Sequence, residues 1–314
     1  MTTGYLWDRA YLGHNTSPAH PERPERADVL ATTAMLTDVP GIRAIQADPY
    51  LGRPSVLKVH DVDYVTMVSG AHEGGRHFLD GGDTVVRHDT YDTALLSAAG
   101  AVTATRAVAR GEVTNAFAAI RPPGHHAGVG NARGFCVFNN VAVAARFAQS
   151  VCGLQRVLIV DWDVHPADGT QAIFYEDPDV HVFSVHQHGI FTERVGRTEH
   201  KGRGEGVGAT YNLPLPEGAS TAEYLRRMEP LLEHAAERCK PDIVFVSCGF
   251  DAHMADPVGQ MGVDDDGFRR FTHIVGRIAK QHCDGRLVSV LEGGYNPSVL
   301  KRCVRHHVEE LTVL

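Results

Sequence analysis

Asp163 and His165 stand two residues apart in the run DWDVHPADG, at the end of an apolar stretch. An extended backbone there points both side chains the same way and lets them share one metal ion. Asp251, in CGFDAH, can supply a third ligand. One imidazole and two carboxylates leave a coordination position free for water and substrate, the arrangement of a catalytic centre and not of a closed structural one. Zinc is the first candidate, and so oxygen-rich a set also accommodates ferrous iron or cobalt. His125 and His126 follow Pro122, Pro123 and Gly124, a stiff turn with one permissive residue that can hold adjacent imidazoles in fixed orientations. A neutral imidazole can take a proton from water and deliver it to a leaving amine if a carboxylate orients its other nitrogen, and Asp161 and Asp168 are available for that. Tyr295, in EGGYN, can donate a hydrogen bond to a carbonyl oxygen as it gains charge, with Gly293 and Gly294 letting the backbone bend.

Each residue alone has a plainer reading. Asp163 can cap a helix, His165 can be packed in the core, Asp251 can be a turn residue, and a histidine pair is unremarkable among 19 histidines. The positions of these residues in the chain favour the metal reading. Asn115 to Ile120, Arg156 to Val160, Pro241 to Ser247 and Arg286 to Leu291 are apolar runs too short for helices and suit buried strands of a parallel sheet. Between them, Asn140 to Ser150, Thr221 to Cys239 and Asp266 to His282 carry apolar residues at helical spacing. The alternation implies an α/β fold. RPPGHHA, DWDVHPADG, CGFDAH and EGGYN each follow one of the four runs, and in open α/β sheets ligands bind beyond the carboxyl ends of the strands.

No Pro/Ser-rich linker or repeat divides the 314 residues, so one domain spanning 1–314 is expected. The net charge of -8 argues against nucleic acid or anionic membrane as a partner and suits a cationic substrate. The N-terminus lacks a basic segment followed by an apolar one, and no window is long enough to span a bilayer, which implies a cytoplasmic protein. Six cysteines with no CxxC pair imply reduced thiols.

From HPERPER at His20 to GGYN at Asn296, the motifs RPPGHHA, GFCVFNN, DWDVHPADGTQ, GFDAHMADP and EGGYN appear in an order that resembles the histone deacetylase and acetylpolyamine amidohydrolase family. The wording looks nearest to class II and bacterial members. The resemblance implies an arginase-deacetylase fold with a central eight-stranded parallel sheet flanked by helices, and zinc on Asp163, His165 and Asp251. It implies that His126 is the general base and acid, oriented by Asp168. His125 would be its electrostatic partner, oriented by Asp161, and Tyr295 would polarise the acyl carbonyl. Gly134, Phe135 and Phe191 look like the wall of a narrow channel for an acylated amine. Two structural potassium sites are implied as well, one at Asp161, Asp163, His165, Ser184 and Val185, the other at Phe174, Asp177, Val180 and Tyr211.

The chain departs from the family pattern in places. HPADG stands where class II members commonly read HHGNG, so Asp168 replaces an asparagine and gives His126 a higher proton affinity than an amide would. Val258 occupies the position of a polyamine-selecting glutamate, which disfavours a polyamine specialist. The rim from Phe191 to Gly208 is glycine-rich and reads as a flexible loop. Pro24 and Glu25 introduce a short helix, Arg26 is taken as structural, and Asp264 to Asp266 cap the helix that follows them. The expected activity is metal-dependent hydrolysis of an acyl amide. The alternatives are a two-metal ureohydrolase, for which the second-metal carboxylates are not evident, and a binder of acylated ligands without turnover. A homo-oligomer is compatible with the sequence.

Overall fold

The computed structural model describes residues 2–32, 35, 39–191 and 195–314. Among them are eight strands: β1 (Thr3–Leu6), β2 (Ile42–Ile45), β3 (Asn115–Ala118), β4 (Val157–Asp161), β5 (Val180–Gln187), β6 (Thr210–Leu215), β7 (Ile243–Cys248) and β8 (Leu287–Leu291). They form one parallel sheet in the order β2-β1-β3-β8-β7-β4-β5-β6. The helices are α1 (Glu25–Asp28), α2 (Gly52–Val56), α3 (Val62–Ser69), α4 (Thr90–Ala109), α5 (Asn140–Cys152), α6 (Asp168–Phe174), α7 (Thr221–Cys239), α8 (Asp265–Cys283) and α9 (Pro297–Val313).

The central strands are buried at every residue because helices cover both faces, which is why their sequences are continuous apolar runs and not alternating ones. Leu158 and Val160 of β4 join the core built with α7, α8 and α9, while Val157 and Ile159 join the core built with α4 and α5. The helices start where their caps dictate: Asn139, Ser220, Asp264 and Asn296 each accept a hydrogen bond from a first-turn backbone N–H. Asp264 therefore caps α8 as expected, and α1 begins at Glu25 directly after Pro24.

The four strands expected from sequence are present with ends displaced by one or two residues. They are also the four adjacent strands β3-β8-β7-β4 at the centre of the sheet. The segments that follow them therefore emerge side by side. The edge strand β2 escaped the sequence reading because it is only half-buried, and β5 because its buried run VHVFSVHQ is interrupted by polar residues.

His307 of α9 shows how completely this interior excludes water. It is fully buried, its rings neighbour Phe117 and Trp162, and it bonds Thr272 Oγ1 at 2.6 Å and Ser289 Oγ at 2.8 Å. The Thr272 hydroxyl donates its proton to the Phe268 carbonyl, so it accepts from His307 Nδ1, which leaves Nε2 to accept from Ser289. Burial pulls the imidazole pKa down to about 3. The unfolded chain binds this proton near pH 6.5 and the native chain does not, so stability falls as pH drops from about 6.5 toward 3. His307→Gln should weaken that acid dependence by several kcal/mol across the window, measured as the difference in urea-unfolding free energy between pH 7 and pH 4. An unchanged slope would show that His307 is protonated in the fold.

Candidate active site

The chain beyond β4 turns at once. Asp161 ends the strand, and its Oδ1 accepts the N–H of Asp163, whose own Oδ1 accepts the N–H of His165 at 2.9 Å. Two successive side-chain turns, and not strand alternation, thus bring Asp163 and His165 together. Asp251, beyond β7, joins them, and the donor atoms of the three lie within 4.8 Å of one another. His165 Nδ1 lies 2.9 Å from Asp163 Oδ1 and 3.4 Å from Asp251 Oδ2.

Backbone approaches these carboxylates closely enough to require glycine. A Cβ on Gly293 would sit 2.1 Å from Asp251 Oδ2 and 2.5 Å from Asp163 Oδ2, and one on Gly249 would sit 2.3 Å from Asp163 Oδ2. Gly293 N–H donates to Asp163 Oδ2 at 2.8 Å, and Val164 N–H donates to Asp251 Oδ1 at 2.9 Å. Each such bond to a charged acceptor contributes roughly 1.5–3 kcal/mol. Asp251 Oδ2 remains buried with no hydrogen-bond partner among the described residues. A buried, unpartnered carboxylate oxygen facing a second carboxylate and an imidazole fits a divalent cation.

Burial, joined by the charge of Asp163, pushes Asp251 up to about 7 against the pull of His165. His165 is raised to about 10, because its hydrogen bond to Asp163 and the nearby carboxylates of Asp163 and Asp251 outweigh the burial that lowers it. Two other groups come within ligand distance, His125 with Cys136 and Glu292, and His253 with Asp265 and Cys303. In the first, Glu292 already accepts from Gly124 N–H and His125 N–H; in the second, Arg302 pairs with Asp265.

His125 and His126, beyond β3, lie with ring centroids 4.1 Å apart. Each has its own carboxylate: His125 Nδ1 is 2.9 Å from Asp161 Oδ2, and His126 Nδ1 is 2.5 Å from Asp168 Oδ1. Burial opposes a charge on His125, yet the carboxylates of Asp163 and Asp161 raise its pKa well above the usual value. His126 goes the other way, lowered to about 4 by burial and by the charge of His125, with Asp168 opposing. The two imidazoles of the pair are thus shifted in opposite directions. Asp168 begins α6, where the helix dipole favours a carboxylate. Gly124 has a tight steric role here: a Cβ would meet Asn140 N at 2.4 Å and Phe138 O at 2.6 Å.

Tyr295, beyond β8, is buried and donates its backbone N–H to Asp256 Oδ2 at 2.6 Å. Its ring meets Phe135 edge-on at 5.8 Å and lies 5.0 Å from the Arg26 guanidinium carbon. Phe191 stacks on His126 at 4.6 Å. Gly134, with φ of 52°, packs on the His126 ring, so that a Cβ would come 2.6 Å from its Cδ2. The structure therefore gathers Gly134, Phe135 and Phe191 around the catalytic candidates. Val258 is half-buried and donates its N–H to Asp256 Oδ1, two residues from the carboxylate that holds Tyr295. The expected rim begins at Phe191, and its residues 192–194 lie outside the described residues.

Ser184 lies beside Asp161 in the β4/β5 register and bonds His186 Nδ1 at 2.8 Å, with Val185 buried next to it. At the other expected potassium position, Asp177 pairs with Arg146 at 2.6 Å, and the same guanidinium lies 4.6 Å from the Phe174 ring centroid. Val180 starts β5, and the Tyr211 hydroxyl reaches His181 Nδ1 at 3.5 Å.

Sequence reasoning undervalued three residues. Arg26 is fully buried and donates to the carbonyls of Gly294 and Glu292, so it holds the segment that presents Tyr295. Glu22 pairs with both Arg26 and Arg121 in the interior, and its pKa is lowered because the two guanidiniums and His14 outweigh burial. Glu292 is the charged residue that ends the apolar run before GGYN, which was the available signal; its carboxylate holds the backbone of the histidine pair. Glu22→Ala leaves two buried guanidiniums unpaired and should cost about 3–5 kcal/mol in urea unfolding. A cost under ~1 kcal/mol would mean that the guanidiniums find other partners.

Residues 20–311 match the family model described as histone deacetylase domain. A probable deacetylase of Archaeoglobus fulgidus is 38% identical over 301 residues, covering 94% of this chain and 82% of that protein. A histone deacetylase-like amidohydrolase of Pseudomonas aeruginosa is 38% identical over 330 residues, covering 99% and 86%. The crystal structure of the HDA15 HD domain aligns with a TM-score of 0.90 at 33% identity, covering 99% of this chain and 90% of that one.

Proposed function

The chain belongs to the histone deacetylase family of amide-hydrolysing enzymes, and on that premise we propose that it removes acetyl or related acyl groups from a lysine-like or small-molecule amine, as one catalytic domain spanning residues 1–314. The observation that carries the chemistry is the buried Asp251 Oδ2 without a hydrogen bond, beside two adjacent imidazoles each on its own carboxylate. Asp163, His165 and Asp251 would hold the ion, zinc by ligand type, which when bound supplies Lewis acidity toward water and the acyl carbonyl.

His126 is the proton carrier in this reading. Its Nδ1 is committed to Asp168, which leaves Nε2 to take a proton from the attacking water and return it to the departing amine nitrogen. His125, held charged by Asp161 and Asp163, stabilises negative charge as it develops. The Tyr295 hydroxyl, kept protonated by burial, donates to the carbonyl oxygen as it becomes an oxyanion. Phe135 and Phe191 hold the apolar part of the acylated arm and exclude water. Val258 offers no charge for a second ammonium group, which favours substrates with a single amine over polyamines. Potassium ions at the two expected positions would be structural.

Tyr295→Phe in a zinc-defined assay should lower kcat by about 10²–10³-fold while an acyl-lysine ligand still binds. Full activity in that variant would remove Tyr295 from the mechanism. Chelation should abolish turnover of acyl-lysine substrates and zinc should restore it. Tight ligand binding with no product at high enzyme concentration would identify a binding protein instead. Running acetylated polyamines beside acyl-lysines ranks the substrate classes.

A further inference from the structure

Arg133 precedes GFC in the run NARGFC, and its backbone opens a tight turn. Arg133 and Cys136 exchange both backbone hydrogen bonds, at 3.1 and 2.9 Å. The residues between them, Gly134 and Phe135, have φ of 52° and 70°. Two central residues in the left-handed region are the signature of a type I′ turn, which fixes where Arg133 starts.

From that anchor its side chain reaches two groups. Nη1 donates to Asp168 Oδ2 at 2.7 Å, and the guanidinium carbon lies 4.2 Å from the Phe191 ring centroid. The other oxygen of Asp168 holds His126 Nδ1, and Phe191 stacks on His126 at an interplanar angle of 22°. Arg133, Asp168, His126 and Phe191 thus close a ring of contacts. We infer that Arg133 is a positioning residue that ties the channel wall Phe191 to the orienting carboxylate Asp168, so that the width of the channel and the direction of the His126 imidazole are set together.

Two features make this coupling necessary. Both Asp168 oxygens are engaged, so rotating the carboxylate to follow one partner breaks the other bond. Phe191 borders a cavity of about 200 Å³ lined also by Pro166, His186, Val195, Gly196 and Arg197, so among the described residues the ring faces open space on that side. A planar guanidinium can bond a carboxylate and lie over an aromatic face at once, which an ammonium on a flexible stem cannot.

The test compares Arg133→Met, which keeps the stem and loses the charge, with Arg133→Lys, which keeps the charge and loses the plane. The kinetic arm rests on the amidohydrolase reading. For an acetyl-lysine peptide, Arg133→Met should lower kcat about 10-fold and raise KM about 5-fold. Arg133→Lys should keep kcat within about 2-fold while KM stays raised, because the ammonium restores the Asp168 contact alone. A second arm needs no turnover: the downfield proton of the His126–Asp168 hydrogen bond, assigned by its loss in His126→Ala, should persist in wild type and Arg133→Lys and shift or broaden in Arg133→Met. An Arg133→Met protein of unchanged melting temperature, KM and imidazole signal overturns the proposal, as does Arg133→Lys failing as badly as Arg133→Met in both kinetic parameters. A wild type that hydrolyses nothing would sink the amidohydrolase reading while the imidazole signal still decides the role of Arg133.

Discussion

Asp161, Asp163 and Asp251 are each at most 1% exposed and lie together at the carboxyl edge of the sheet. Burying carboxylates without compensation costs far more than a small fold can supply, so most of the local structure answers that demand. Backbone N–H groups of Val164 and Gly293 point at carboxylate oxygens, and Gly249 and Gly293 are glycines because any side chain would occupy the space of those oxygens. The His125 and His165 imidazoles lie against these carboxylates, which raise the pKa of both. The same imbalance that requires compensation prepares the site for a cation, since a dication can replace protons held there at the cost of little rearrangement.

The parallel sheet gives this cluster its rigidity. Side chains on strand ends are placed by ladders that are buried on both faces, and β3, β8, β7 and β4 deliver the histidine pair, the tyrosine, Asp251 and the Asp163–His165 pair from adjacent positions. Segments that turn immediately after a strand leave little slack. The tyrosine segment needs further support because it follows three irregular residues. Arg26 supplies it from the N-terminal region, itself held by Glu22, which Arg121 holds in turn, so residues near the start and end of the chain meet at one wall of the site.

The two imidazoles illustrate how identical groups acquire different roles. His125 meets two carboxylates that raise its pKa, while His126 meets one carboxylate and the charge of His125, and burial with that charge lowers it. Asp168 is shared with Arg133, so part of its charge is directed away from His126. Asp168 opposes the lowering of His126 without reversing it, because burial and the charge of His125 outweigh it.

Much of this was legible in the linear order. Buried parallel strands are continuous apolar runs, so four of them are legible in the sequence, and the polar segments after them mark the carboxyl edge of the sheet. Asp163, His165 and Asp251, the histidine pair and Tyr295 stood out because their side-chain types are unusual immediately after such runs. Arg26, Glu22, Arg133 and Asp256 did not stand out, since a charged residue in a loop is ordinarily solvated and its sequence neighbours say nothing about its partners. Arg26 meets Gly294 across 268 positions of chain, and Arg133 meets Asp168 across 35. Strand order, close approach at Gly249 and Gly293, and the pairing of buried charges are properties of which segments become neighbours in space. Local spacing encodes periodicity and capping, whereas desolvation and charge compensation depend on every group within a few ångströms, and only the assembled sheet and its helices bring those groups together.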